Sequence, residues 1–175
     1  VGFGMMALLL KERPLDIDLW RELAVLILLG VLAEWFVVTV PQGSLSLGFA
    51  IIFAAFIRFD ASAVVVISVL SAFMANSVMS RDSFFRSTLF NGAQYTICAI
   101  AASEAYLYAG GLAVDKIALS NLLPLIIFVL TYFLTNHLLV MLFLWPGTNF
   151  KTLAPWQSAI KWDSLTYLFA APIGV

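Results

Sequence analysis

The sequence predicts an all-α integral membrane protein of about six transmembrane helices, with a short interfacial helix before the last. Three observations carry this. The chain is 63% apolar and 11% charged, against about 45–50% and about 25% for a soluble domain. Its apolar residues lie in long runs separated by short polar turns. And almost every polar residue inside those runs falls toward one side of the membrane: Glu34, Asn76, Asn91, Gln94, Asn136 and His137. A polar side chain in hydrocarbon is costly, so its position needs a reason.

The elements follow in order. Residues 1–18 form an N-terminal interfacial segment and 19–175 one polytopic domain. VGFGMMALLL (1–10) is too short to span, and Lys11 and Arg13 follow it instead of preceding it, unlike a cleavable signal. Asp16 and Asp18 after Pro14 are good helix-start residues. A first segment runs from about Leu19 to Val40 and stops at Pro41, with Gln42-Gly43-Ser44 as a tight turn. A second, Leu45 to Ile57, is short and rich in Gly, Ala and Phe, and is expected to span with its polar ends snorkelling. A third covers Ala61 to Met79. Ser68, Ala72 and Asn76, and likewise Ser71 and Ala75, recur every four residues on it, a spacing that lets helix backbones approach closely.

The fourth segment, Thr88 to Ala109, carries Asn91 and Gln94 on one face and ends at Gly110-Gly111. The fifth, Leu122 to Trp145, has Ser120 or Asn121 as its cap, Pro124 in its first turn and Pro146-Gly147 after it. Residues 148–163 mix Trp156, Lys161 and Trp162 with apolar residues, which suits a helix lying at the interface. A sixth segment begins at Ser164, with a kink expected at Pro172. The chain starts at Val1 and stops at Val175, partway through that apolar run, and reads as part of something longer.

Alternating crossings put both termini on one side. Lys11, Arg13, Arg21, Arg58 and Lys116 fall on that side, and Arg81, Arg86, Lys151 and Lys161 on the other. This narrow excess favours a cytoplasmic N terminus. Glu34, Asn76, Asn91, Gln94, Asn136 and His137 then share the outer half. Glu104 lies toward the opposite face, near the headgroups or paired with Arg58 or Lys116.

The chemistry is sparse. A net charge of −1 argues against a nucleic-acid partner. The one cysteine, Cys98, sits in an apolar run and reads as packing. One histidine and no paired carboxylates leave no metal site, cofactor site or catalytic set. Asn91, Gln94 and Asn136 are expected to tie helices together, at about 0.6–2 kcal/mol per hydrogen bond. Glu34 is the residue expected to carry function, with His137 within reach across helices one and five as a proton-relay partner. Trp35 and Phe36 either line an apolar ligand site or belong to the headgroup belt.

Three stretches bring a family into view. LFNGAQYTICAIAASEAYLYAGG (89–111) resembles a recurring segment of bacterial multi-pass sensor modules: Leu-Phe-Asn, then Gln, a small-residue helix, Tyr and a Gly-Gly end. TYFLTNHLLV (131–140) is similar to another, and Lys161-Trp162 through Leu168 to Ala171-Pro172 resembles the start of their last helix. These are the MASE-type membrane parts of signalling proteins with cytoplasmic HD-GYP or GGDEF domains. The likeness covers about residues 45–175. The turn that often reads Gly-Pro in such modules is Phe59-Asp60-Ala61 here, and His137 lies outside the pattern.

The resemblance implies a sensory input module in the bacterial inner membrane, part of cyclic-di-GMP signalling. Its effector domain would lie outside this chain, and it would work as a homodimer. Glu34, Trp35, Asn76, Asn91, Gln94, Asn136 and His137 are the candidate residues for a small or lipophilic ligand, and membrane lipid is the surrounding partner. No catalytic signature of either effector occurs here, so no enzymatic activity is expected of these residues. The alternatives are the substrate-binding component of an energy-coupling-factor vitamin transporter, or a scaffold subunit of a larger membrane complex. Against the transporter, no Ala-xxx-Ala coupling motif stands in segment one, and the loop Pro41 to Ser44 is too short to cover a vitamin.

Overall fold

Five helices and one β-hairpin make up the described part of the structure, a computed structural model: α1 (Trp20–Trp35), β1 (Val38–Val40), β2 (Gly43–Leu45), α2 (Gly48–Arg58), α3 (Ala61–Met79), α4 (Phe84–Tyr108) and α5 (Leu122–Leu144). The residues described are 4, 11, 20–36, 38–40, 43–45, 48–59, 61–79, 84–111, 121–144, 160 and 164. Of the N-terminal segment this leaves Gly4 and Lys11, both helical and exposed. Of the interfacial and sixth segments it leaves Ile160 and Ser164, both helical, with Ser164 Oγ donating to the Ile160 carbonyl at 2.6 Å. The expected helix over 156–163 and the kink at Pro172 lie outside the described residues.

The first segment does not stay helical to Pro41. α1 stops at Trp35, and Val38–Val40 pairs antiparallel with Gly43–Leu45 in the register Val38↔Leu45, Thr39↔Ser44, Val40↔Gly43. The cause is local: Val38, Thr39 and Val40 are β-branched, and the residue before a proline is pushed out of the helical region. Gly43 and Ser44, expected in the turn, are strand residues.

The second segment is also shorter than a span. At about 1.5 Å per residue, α2's 11 residues reach about 16 Å, roughly half of a hydrocarbon core. It is instead the aromatic centre of the bundle. Phe49, Phe53 and Phe56 share one face and are buried. Phe49 meets Tyr132 of α5 at 5.3 Å between ring centroids, and Phe53 meets Phe128 at 5.8 Å. Phe56 stacks on Phe128 at 4.0 Å and touches Tyr106 of α4 edge-on at 5.0 Å. Such pairs contribute about 0.5–1.5 kcal/mol each beyond burial.

Successive helices run antiparallel. Arg58 at the end of α2 binds Glu22 at the start of α1 through two contacts, Nε–Oε2 at 2.7 Å and Nη2–Oε1 at 2.9 Å. Both side chains are about half exposed, so the pair orients more than it stabilises. Arg58 therefore does not serve Glu104, which is exposed. α1 packs on α2 and α3, α3 on α4, and α4 on α5. α4 ends as its glycines require. Gly110 takes φ +84°, its N–H donates to Leu107 O, and Gly111 N–H donates to Tyr106 O. This is a Schellman closure. A Cβ on Gly111 would meet the Tyr106 ring at 2.3 Å.

Among the described residues, Leu122–Phe143 is the one helix long and apolar enough by itself to cross a membrane. Its outer face is a stripe of exposed aliphatics, Ile126, Leu130, Leu134, Leu138 and Leu142. In water this face would be a large apolar liability; in lipid it costs nothing.

Candidate functional site

The polar residues meet at one end of the bundle: late α1, early α2, late α3, early α4 and late α5. Packing divides them into two groups.

The first surrounds a small cavity. Gly30 and Glu34, four apart on α1, line it with Ile67, Ser68 and Ser71 of α3, Gly48, Ile51 and Ile52 of α2, and Tyr95 of α4. Its volume is about 10 Å³, close to that of one water-sized sphere. Gly30 makes the close approach possible, since a Cβ there would lie 2.3 Å from Ser71 Oγ. Ser68 Oγ donates to the Val64 carbonyl at 2.7 Å, the back-bond a helical serine makes. Ser71 Oγ is buried with no hydrogen-bond partner among the described residues, an uncommon condition. Glu34 is half-buried and shares the cavity with Gly48, the first residue of α2. The amino end of a helix carries unpaired N–H groups and favours negative charge.

The second group lies on the α4–α5 seam. Gln94 Nε2 donates to Asn136 Oδ1, and the pair is flanked by Phe90 stacked on Phe143 at 3.9 Å. Asn91, one turn earlier, is half-buried. His137 Nδ1 donates to the Phe133 carbonyl at 2.9 Å, and its ring lies 4.2 Å from that of Phe133. Gln94 and Tyr95 are neighbours in sequence, but a helix turns about 100° per residue. One therefore faces α5 and the other faces the cavity.

Glu34 thus meets Tyr95 and the serines. His137 is not among the described residues lining its cavity, and α1 and α5 are not among the helix pairs that pack along their length. Trp35 is 50% and Phe36 76% exposed, and neither lines the cavity. Asn76 lies near the end of α3, where only the backbone is described. The sequence reading missed Gly30 and Tyr95, and took Ser68 and Ser71 for packing alone. A signal was present: Gly30 stands one turn before Glu34, opposite a small-residue stripe. Among the described residues no three His, Cys, Asp or Glu side chains gather as metal ligands, and Cys98 is buried and free.

No curated protein and no solved structure matches the chain. The MASE9 family model matches residues 6–175, which includes segments four and five, whose residues carried the resemblance. The chain is therefore a member of the MASE9 family, a membrane-associated sensor module of the MASE type.

Proposed function

We propose that this module lies as a multi-pass domain in the bacterial inner membrane and senses a small ligand at the polar end of its bundle. It relays the state through its last helix to a cytoplasmic effector outside this chain. The effector is of the HD-GYP or GGDEF kind, its output is a change in cyclic-di-GMP, and the full protein works as a homodimer. The residues present here carry no catalysis.

One observation carries the reading. The cavity sits where α1, α2, α3 and α4 meet, and its wall includes Glu34 and Ser71, whose hydroxyl has no hydrogen-bond partner among the described residues. A guest there touches four helices at once, so it favours one packing over another by its differential affinity for the two. The amides Gln94 and Asn136 hold the neighbouring α4–α5 seam. A vitamin-binding transport subunit fits less well, since no Ala-xxx-Ala coupling motif stands in α1.

The test is Glu34→Gln in the full-length protein. Cellular cyclic-di-GMP should shift from its wild-type level, with membrane expression and unfolding temperature preserved. Unchanged output in a well-expressed variant removes Glu34 from sensing, and loss of expression assigns it to the fold.

A further inference from the structure

We propose that α1 is a lipid-facing surface that holds the bilayer about 10 Å thinner than it stands at α5, which brings the headgroup level down to Glu34. The partner is the acyl chains of the surrounding phospholipid. This taper presupposes the multi-pass arrangement and is independent of any ligand.

The two outer helices offer lipid apolar faces of different length. On α5 the exposed apolar residues run from Leu122 to Phe143, about 32 Å at about 1.5 Å per residue and close to the roughly 30 Å of a hydrocarbon core. On α1 the exposed Val25, Leu28 and Leu29 stand between Glu22 and Trp35, which lie about 20 Å apart along the helix. Groups that do not enter hydrocarbon fix both limits. At one end Glu22 is ion-paired with Arg58, and both are half-exposed, which suits the headgroup region. At the other end Trp35 is followed by the hairpin, whose sheet has two strands among the described residues. Each strand therefore keeps an open edge, and open sheet edges do not face lipid.

Contacts across the bundle put the two faces in one frame. Glu34 and Tyr95 line the same cavity, and Gln94, beside Tyr95, bonds to Asn136. Asn136 therefore stands level with Glu34. α5 continues past that level with Leu138, Leu142 and Phe143 exposed, about 10 Å of further apolar surface. Tilt cannot lengthen the face of α1, because tilting shortens a helix's projection on the bilayer normal. A short apolar span is met by a thinner bilayer or by association with another helix. The side chains favour lipid. Close helix association wants small residues at the contact, and the one glycine of α1, Gly30, is already turned to Ser71. Trp20 and Trp35, at the two ends of α1, are each about half exposed, as interfacial anchors are.

The experiment uses the full-length protein in dioleoyl-phosphatidylcholine vesicles, in a cysteine-free background. Each variant carries one nitroxide label, at Trp20→Cys, Leu28→Cys, Trp35→Cys or Leu138→Cys, all exposed positions in the native chain. Collision rates with oxygen and with a water-soluble nickel chelate give the depth of each label. The labels at 20 and 35 should read at headgroup level. The label at 138, level with Trp35, should read about 7 Å inside the hydrocarbon. The label at 28 should collide freely with oxygen. If Trp35→Cys fails to fold, Phe36→Cys, also exposed, reads the same boundary. Equal depths at 35 and 138 overturn the taper. So does a label at 20 within hydrocarbon, because rigid tilt of the bundle sinks Trp20 as it raises Trp35. A label at 28 shielded from oxygen overturns it as well, and spin–spin broadening then marks a second copy as the cover. The two readings fail separately: no label in hydrocarbon removes the multi-pass arrangement, whereas equal depths within hydrocarbon remove the taper alone.

Discussion

Gly30 has a hydrogen where a methyl group would sit 2.3 Å from Ser71 Oγ. That contact fixes how closely α1 approaches α3, and so the width of the cavity beside Glu34. Gly30→Ala gains helix propensity but overpacks the contact, with an expected net loss of about 1–2 kcal/mol. Ser71→Ala in the same chain removes the clashing oxygen and leaves a Cβ at 3.3 Å, so most of the loss should return. Denaturant unfolding of the four proteins of this cycle checks the idea; a double variant no more stable than Gly30→Ala alone would sink it. At this scale the sequence was legible in part. Glu34 stood out because a carboxylate in an apolar run is costly. Tyr95 did not, since a tyrosine in such a run gives no sign of which neighbour it faces.

Among the elements, α4 performs two tasks on adjacent faces. It holds α5 through Gln94 and Asn136 and offers Tyr95 to the α1–α3 cavity. The amide pair is the seam's polar fastener. Gln94→Ala and Asn136→Ala should each cost about 0.6–2 kcal/mol, and the double variant should cost little more than either one. Unfolding in mixed detergent micelles measures this, and fully additive losses would mean that the two amides do not act as a pair. The boundaries of α3 and α5 and the end of α4 were readable because caps, glycines and prolines act locally, whereas α4 starts at Phe84, one turn before the expected Thr88. The end of α1 was misread, because an apolar run of Val and Thr looks the same whether it continues a membrane helix or leaves it as a strand.

At the scale of the whole molecule, the antiparallel order puts Glu22, Arg58 and the end of α4 at one end of the bundle and Glu34 at the other. Two contacts establish this: Glu22 with Arg58, and Phe56, near Arg58, with Tyr106 near the end of α4. Single cysteines in a Cys98→Ala background test it in intact cells and inverted vesicles. Glu22→Cys and Tyr108→Cys, both exposed in the native chain, should react with an impermeant thiol reagent from one side. Trp35→Cys should react from the opposite side. Labelling of all three from the same side would overturn the alternating arrangement. Native Cys98, fully buried, should stay unreactive in the folded protein from either side.

By itself the sequence determined that the chain is largely helical and membrane-associated, where α3 and α5 start and stop, and that its polar residues gather toward one end. Those properties follow from composition, from local capping chemistry and from the parity of successive segments. Only the tertiary structure decided that the polar set is two sites, that α2 is a buried aromatic core helix, and that Gly30, Ser71 and Tyr95 complete the surroundings of Glu34. The physical reason is rotation about the helix axis. A helix that is apolar all round has no polar face to reveal its orientation, because lipid and protein interior both accept the same side chains. Which residues turn toward the cavity is settled by packing alone, through contacts as close as the one between Gly30 and Ser71.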